Sequence, residues 1–474
     1  MKTDKLIWLN RPISTDKSCF ICSNDKSNKI TLQAHHWQAD NGILELAICG
    51  ACGSAWFMEA MERNAPYPSA EETLQDPNFI LLIYHYFELV NGLDWKVFLL
   101  EKLSRQHIKT VMEVGCNVGI TLDYCKTSWN LEKVIGIEPS AYGLLGKQLL
   151  DLEIYHEFLE NLPEIRGTAF DLIFATEVLE HVPTPLDFIR LLRGHLKPQG
   201  ILLLTTPRSG FLEPSAPTGE LYAALSPGSH YFLLSENKLR ELAFEAGFQF
   251  VHIEPFGMTH VAILANTEIR LSNPGNTEIK LLDYYQKKQE NLPTDERLKL
   301  GYYLNYAIHL SKTGHHKQLM ADTVLNQSIQ VMLSGKYALD LRNLHTSIER
   351  ITSCISIFDL AKQMPFNLPH YLYWQAFSSK KVHQWTDQLI QQLEFARLVC
   401  LTGLKVDFQN LFVYHELLNR IDTALEHIPQ TPSSMQIKKC SENIRRKIPE
   451  LNQDTPKHFI RRIKERLKRY RYTW

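Results

Sequence analysis

The sequence predicts an α/β chain: an open, doubly wound sheet in the middle, a small cysteine-held module before it and an all-helical extension after it. Three observations carry this prediction. Residues 109–114 form a short apolar, β-branched run, followed by a turn with Gly115 and Gly119 and then by helical spacing from residue 120. Cys19-Phe20-Ile21-Cys22 and Cys49-Gly50-Ala51-Cys52 are two C-x-x-C pairs with 26 residues between them. Beyond residue 298, apolar residues recur at three- and four-residue spacing.

At 474 residues the chain exceeds one ordinary core, which predicts two or three domains. Hydrophobic residues at 44% and charged residues at 22% are globular proportions and exclude a disordered chain. The net charge of −1 supplies no global field that would draw nucleic acid. No apolar run reaches the length of a membrane span, residues 1–10 lack the pattern of a signal peptide, and the expected compartment is a reducing cytoplasm.

Residues 1–66 read as a zinc-ribbon module. Each C-x-x-C pair can hold one edge of a tetrahedral site, so Cys19, Cys22, Cys49 and Cys52 are the expected zinc ligands. Four thiolates leave no open position on the metal, so the expected role is structural. Residues 43–48 and 54–58 read as strands around the second pair. His35 and His36 read as surface or partly packed side chains rather than ligands.

Residues 67–107 read as a helical lead-in. Ser69 is an N-cap followed by Glu71 and Glu72 in the first turn. Residues 80–90 and 95–103 are helical and rich in aromatics, with Tyr84 and Tyr86 as candidates to lie over a ligand. In residues 108–266, the strand, glycine turn and helix start at 109–126 form a site for the polar end of a nucleotide-like ligand. Residues 134–138 are a second buried strand ending in Glu138, 23 positions after Gly115. That is one βαβ step, and an acid there can accept both hydroxyls of a ribose. Residues 170–175 are a further buried strand, followed by Thr176-Glu177-Val178-Leu179-Glu180-His181. Leu196-Lys197-Pro198-Gln199-Gly200 reads as a turn before the strand 201–205. Residues 235–247 are an amphipathic helix with a Ser235 cap and a Gly247 stop, and 248–254 and 260–265 complete the sheet as an antiparallel pair.

Together these motifs resemble a class I S-adenosylmethionine-dependent methyltransferase. The resemblance rests on the E-x-G-x-x-x-G turn (Glu113, Gly115, Gly119), Glu138, the E-V-L-E-H-V segment, the L-K-P-x-G turn and the H-x-F segment that begins at His230. It implies a Rossmann-like sheet and S-adenosylmethionine as donor. It also implies a donor site made of Glu113, Gly115, Cys116, Asn117, Gly119 and Glu138, with Phe158 and Leu159 framing the adenine and Glu177 facing the same cleft. Asn117 stands where the family often has a third glycine, and Asn tolerates left-handed geometry. On the acceptor side, Glu180, His181 and His230 are the catalytic candidates. If residues 177–181 start a helix, Glu177, Glu180 and His181 share a face and, with His230, can hold magnesium or another divalent ion. The corresponding segment is a metal site in ubiquinone-pathway O-methyltransferases and in small-RNA 3′-end methyltransferases. Related enzymes carry the same segment without an assigned metal, and there His181 would act as base or as a packed side chain. Residues 209–229 read as a long irregular loop that shapes the acceptor pocket, with Tyr222 and His230 as contacts.

A zinc-ribbon ahead of such a domain is similar to the layout of sugar C-methyltransferases. That layout implies a small-molecule or glycan-precursor acceptor. Metal-assisted RNA methylation and a non-catalytic adaptor are the alternatives. Residues 267–440 read as a helical domain able to bind a protein partner, after the turn at Ser272-Asn273-Pro274-Gly275-Asn276. Helices are expected at 298–311, 317–333, 337–361 and 385–401. Residues 441–474 read as a basic amphipathic tail: residues 457–474 hold eight Lys and Arg against Glu465, a pattern suited to an anionic membrane surface.

Overall fold

The computed structural model describes residues 6–38, 42–63, 69–89, 93–103, 107–216, 218–383, 385–407, 411, 413–428 and 431–448. The basic segment 457–474, and with it the expected membrane contact, lies outside the described residues. Among those described, no helix is long and apolar enough to cross a membrane. The chain divides into two units, Met1–Thr73 with Ser104–Leu271, and Leu74–Leu103 with Ser272–Trp474.

The first unit holds two sheets. One contains β1 (Leu6–Thr15), β2 (Asn28–His35), β3 (Ile43–Ile48) and β4 (Ala55–Phe57). The other is built from β5 (Thr110–Val114), β6 (Lys133–Ile137), β7 (Glu153–Tyr155), β8 (Phe170–Thr176) and β9 (Leu196–Pro207). A two-residue strand, β10 (Phe232–Leu233), then returns to the first sheet. β11 (Phe250–Phe256) and β12 (Thr259–Ala265) finish the second.

The large sheet runs β11-β12-β9-β8-β5-β6-β7. Strands β9, β8, β5, β6 and β7 are mutually parallel, and β12 pairs antiparallel with both β9 and β11. This is the Rossmann-like doubly wound sheet that the motifs predict. Its interior strands are almost continuously apolar, as strands covered on both faces must be. Asp171 fixes the register at the base: its Oδ2 accepts the Lys109 and Thr110 amides, both at 2.9 Å, and the Lys197 ammonium at 2.9 Å. The expected turn at 196–200 lies inside the span of β9, next to a register shift against β8.

The small sheet runs β1-β2-β3-β4-β10. The cysteine module is therefore not a free-standing domain ending near residue 66. Its fifth strand comes from far along the chain, and its core includes Leu221, Tyr222 and Leu225.

The second unit is helical. Its N-terminal part is the lead-in: the helices Pro77–Glu88 and Asp94–Glu101 belong to this helical unit. The physical reason is a buried ion pair. Arg297 donates to both oxygens of Glu88 at 2.6 and 3.0 Å, and Glu88 also accepts the Phe366 amide at 2.6 Å. Tyr84 donates to Asp295 at 2.8 Å and lies beneath the Arg297 guanidinium. The longest helices are Glu296–Lys312, Thr323–Tyr337, Leu368–Val382 and Asp387–Val406. The single helix expected over 337–361 is absent. Ala338 turns left-handed at φ 48°, and a Ser356–Asp359 capping box starts the short helix Ile357–Gln363.

Candidate functional site

The donor side sits at the carboxyl ends of β5 and β6, where an open α/β sheet places its ligands. Gly115, Asn117 and Gly119 have φ of 70°, 52° and 74°, so the turn leaves β5 through three left-handed positions. A Cβ on Gly115 would lie 2.4 Å from a methyl of Val178, so this glycine also lets segment 177–181 close against the turn. Glu138 is buried and holds the loop: its Oε2 accepts the Asn117 amide at 2.8 Å and its Oε1 the Ser140 amide at 3.0 Å. Glu113 is fully buried at the strand end. The side chain of Cys116 packs back onto Gly136, and its thiol lies 3.7 Å from the Asn117 carbonyl. Phe158 is exposed at the start of a short 3₁₀ turn, and Leu159 behind it is buried.

The acceptor side differs from the helical expectation. Residues Leu179–His181 form a 3₁₀ turn, and Glu177 itself is left-handed at φ 57°. That conformation turns the Glu177 carboxylate toward β9 and β12, where Oε1 accepts the Thr205 hydroxyl at 2.8 Å and the Thr259 hydroxyl at 2.7 Å. Glu177 is consequently outside the cluster of ligand-capable groups. That cluster is Glu180, His181 and His230, with one ligand atom from each within 4.8 Å of the others.

Glu180 is 0% exposed; its Oε2 accepts the Thr206 hydroxyl at 2.9 Å, while its Oε1 has no hydrogen-bond partner and lies 3.8 Å from His230 Nε2. Burial, reinforced by the charge of Glu177, raises the Glu180 carboxyl well above the usual range. Burial lowers both histidines, His230 well below its ordinary value, so both are neutral at pH 7. Each Nδ1 sits against a backbone carbonyl, His181 on Ser229 at 3.1 Å and His230 on Ala224 at 2.9 Å. Nδ1 then carries the proton and Nε2 keeps its lone pair. That is the tautomer a metal-ligating histidine needs. An orphaned carboxylate oxygen beside two such nitrogens fits a divalent cation.

These directions set a pH dependence. A carboxyl that keeps its proton when folded but ionises above about 4.3 when unfolded loses its contribution as pH rises. Metal-free wild type is therefore expected to lose stability relative to Glu180→Gln between pH 5 and pH 7, the two histidines, lowered by burial, acting in the opposite sense in both proteins. Added magnesium should raise the melting temperature of wild type only. Thermal melts at both pH values check this. A variant that melts like wild type under every condition contradicts it.

Tyr222, expected as an acceptor contact, is buried and donates to the His35 carbonyl at 3.1 Å. The loop 209–229 that carries it is not irregular throughout, because it contains the helix Thr218–Leu225. His36, expected at the surface or partly packed, is buried at 2% exposure against Gly228. No sequence signal marked β10 or these contacts, since a two-residue strand has no periodicity.

The four cysteines meet as expected. Cys19 and Cys52 sulfurs are 3.9 Å apart and Cys22 and Cys49 sulfurs 3.6 Å, and all four ligand atoms lie within 4.8 Å of one another. Sulfurs about 2.3 Å from one zinc stand roughly 3.8 Å apart in a tetrahedron, so the spacing fits that ion. Backbone amides of Ile21, Ala51 and Cys52 point at the sulfurs, each at 3.4 Å, as a thiolate site requires. Hydrogen bonding from Cys19 pulls the Cys52 thiol far below its ordinary range.

Residues 87–253 match the family model described as a methyltransferase domain. The chain is 32% identical over 121 residues to a tRNA U34 carboxymethyltransferase of Pseudoalteromonas translucida, covering 24% of this chain and 37% of that protein. It is 32% identical over 108 residues to a ubiquinone biosynthesis O-methyltransferase of Histophilus somni, covering 21% and 44%. The chain thus spans less than half the length of either relative. An O-methyltransferase family protein from Burkholderia thailandensis aligns in structure at TM-score 0.36 and 14% identity, over 44% of this chain and 67% of that one. The motifs, the strand order and the family match agree: residues 87–253 form a methyltransferase domain of the class I, S-adenosylmethionine-dependent kind.

Proposed function

We propose that this protein transfers a methyl group from S-adenosylmethionine to a hydroxyl of a sugar or glycan-precursor acceptor. The observation that carries the donor half is Glu138, buried at the end of β6 and clamped to the left-handed glycine turn. In this reading Glu138 accepts the ribose hydroxyls, Glu113 orients the methionyl ammonium, and Phe158 and Leu159 frame the adenine. The acceptor half rests on Glu180, His181 and His230, which stand next to the donor turn through the Val178–Gly115 contact.

Methyl transfer from a sulfonium is an in-line displacement, so the chain must align the acceptor oxygen and take its proton. The bond from methyl to sulfur breaks as the bond to oxygen forms, and where no ion occupies the site the hydroxyl proton passes to a neutral imidazole Nε2. Were magnesium or a similar ion present, Glu180 Oε1 and the two Nε2 atoms would hold it, and it would acidify the hydroxyl so that the proton leaves to water instead. The sugar class is favoured by the ribbon ahead of the domain and by a chain with no overall positive charge. A second reading, methylation of RNA, is favoured by the similarity to tRNA U34 carboxymethyltransferases.

The test is transfer of labelled methyl from S-adenosylmethionine to a panel of sugar nucleotides, phenols and tRNA, with and without magnesium. Transfer to a sugar nucleotide is expected, falling by about 10²- to 10⁴-fold in the double variant His181→Gln/His230→Gln, the range of a lost acid–base group. Transfer to tRNA alone would replace the sugar reading with the RNA reading. No transfer to any acceptor by a protein that binds the donor would favour the adaptor reading.

A further inference from the structure

We infer that the cysteine cluster, loaded with zinc, is the frame that positions His181 and His230. This rests on the reading of those histidines as acceptor-side groups.

The second C-x-x-C knuckle runs straight into β4, and β4 pairs with β10, Trp56 against Phe232 and Ala55 against Leu233. The residues of β10 directly follow His230 and Tyr231. Tyr231 is bound from both sides: its carbonyl accepts the Phe57 amide at 3.2 Å, and its amide donates to the Glu180 carbonyl at 2.8 Å. Phe20, between the two ligands of the first knuckle, stacks on the Tyr231 ring at 5.6 Å with planes 5° apart. Ser235 ends the segment by donating to the Cys52 carbonyl at 2.5 Å, and its amide donates to Ser54 Oγ at 3.1 Å.

The other end of the small sheet grips the start of the same segment. The Trp37 amide donates to Pro227 O at 3.0 Å and its indole to Gly228 O at 3.3 Å. Gly228 has φ of 93°, and a Cβ there would fall 2.0 Å from His36 Nε2. Ser229, whose carbonyl orients His181, is the next residue. Residues 222–235 are thus suspended between the cysteine module and residues 180–181. The donor turn is held by β5, β6 and Glu138.

Metal loss should therefore release the histidine pair and spare the donor turn. Phe20, Trp37 and Ser235 are positioning residues in this scheme. The test is amide hydrogen exchange on the full-length chain as purified, with its zinc content measured, then after chelation under reducing conditions and after zinc is returned. Exchange across 229–235 is expected to rise about tenfold or more on chelation and recover with zinc, while β5 and β8 change by less than about twofold. The imidazole Cε1–H signals of His181 and His230 should shift and broaden in the same samples. Phe20→Ala, which keeps all four cysteines and the metal, should reproduce both changes, and Phe20→Tyr should restore the original pattern.

Unchanged protection of 229–235 without metal, equal loss across β5 and β8, or a chain that neither carries nor responds to zinc would overturn the inference. Calorimetric titration of the same samples with S-adenosylmethionine tests the donor reading separately, so the two can fail independently.

Discussion

Glu138→Ala is expected to weaken S-adenosylmethionine binding by about 30- to 1,000-fold, that is by about 2–4 kcal/mol. The substitution removes the acceptor assigned to the two ribose hydroxyls, and hydrogen bonds to a charged group are worth about 1.5–3 kcal/mol each. It also removes the clamp at 2.8 Å on the Asn117 amide and the one at 3.0 Å on the Ser140 amide, so the turn is no longer held in its left-handed path. Glu138→Gln keeps one carbonyl oxygen and adds a donor, and should lose about tenfold, the smaller effect of weakening rather than deleting the acceptor. Calorimetric titration of both variants, with thermal melts to show that they fold, checks the order. Equal affinity for wild type and a folded Glu138→Ala would remove Glu138 from the donor site.

Arg297→Met should produce the largest loss of stability, about 3–5 kcal/mol, because it leaves a buried carboxylate without its partner. Arg297 and Glu88 are 2% and 0% exposed, and the guanidinium also donates to the Ala361 carbonyl at 2.9 Å. The double variant Glu88→Leu/Arg297→Met should recover most of the loss, since apolar replacement of both charges is often neutral. A residue of about 1–2 kcal/mol should remain for the Phe366 amide, which loses its acceptor. Denaturant titration of the wild type, the single variant and the double variant separates these terms. A single variant within about 1 kcal/mol of wild type would mean that the pair carries no buried charge cost.

What was legible in the sequence follows from how local each signal is. Apart from the three-residue β7, the strands of the central sheet are readable because each is a short apolar run bounded by glycine, proline or a charged turn. The four cysteines were readable because metal spacing is written in the sequence itself. The acceptor side was not. E-x-x-E-H reads as a helical face, but Glu177 adopts φ 57° and binds Thr205 and Thr259, an outcome decided by strands that arrive 28 and 82 residues later. Helix Pro77–Glu88 shows a helical pattern but nothing of its partner, since Arg297 lies 209 positions away in sequence. Strand β1 carries no strand signal in the sequence because most of its residues are exposed and a register shift interrupts its alternation. Strand β10 has two residues, and only its pairing with β4 makes it a strand.

Calorimetric titration of the wild-type protein with S-adenosylmethionine reads the donor site itself. Saturable binding at one site per chain is expected, with a micromolar dissociation constant, about −8 kcal/mol, competed by S-adenosylhomocysteine. A folded, zinc-loaded chain that gives no heat up to millimolar donor would contradict it.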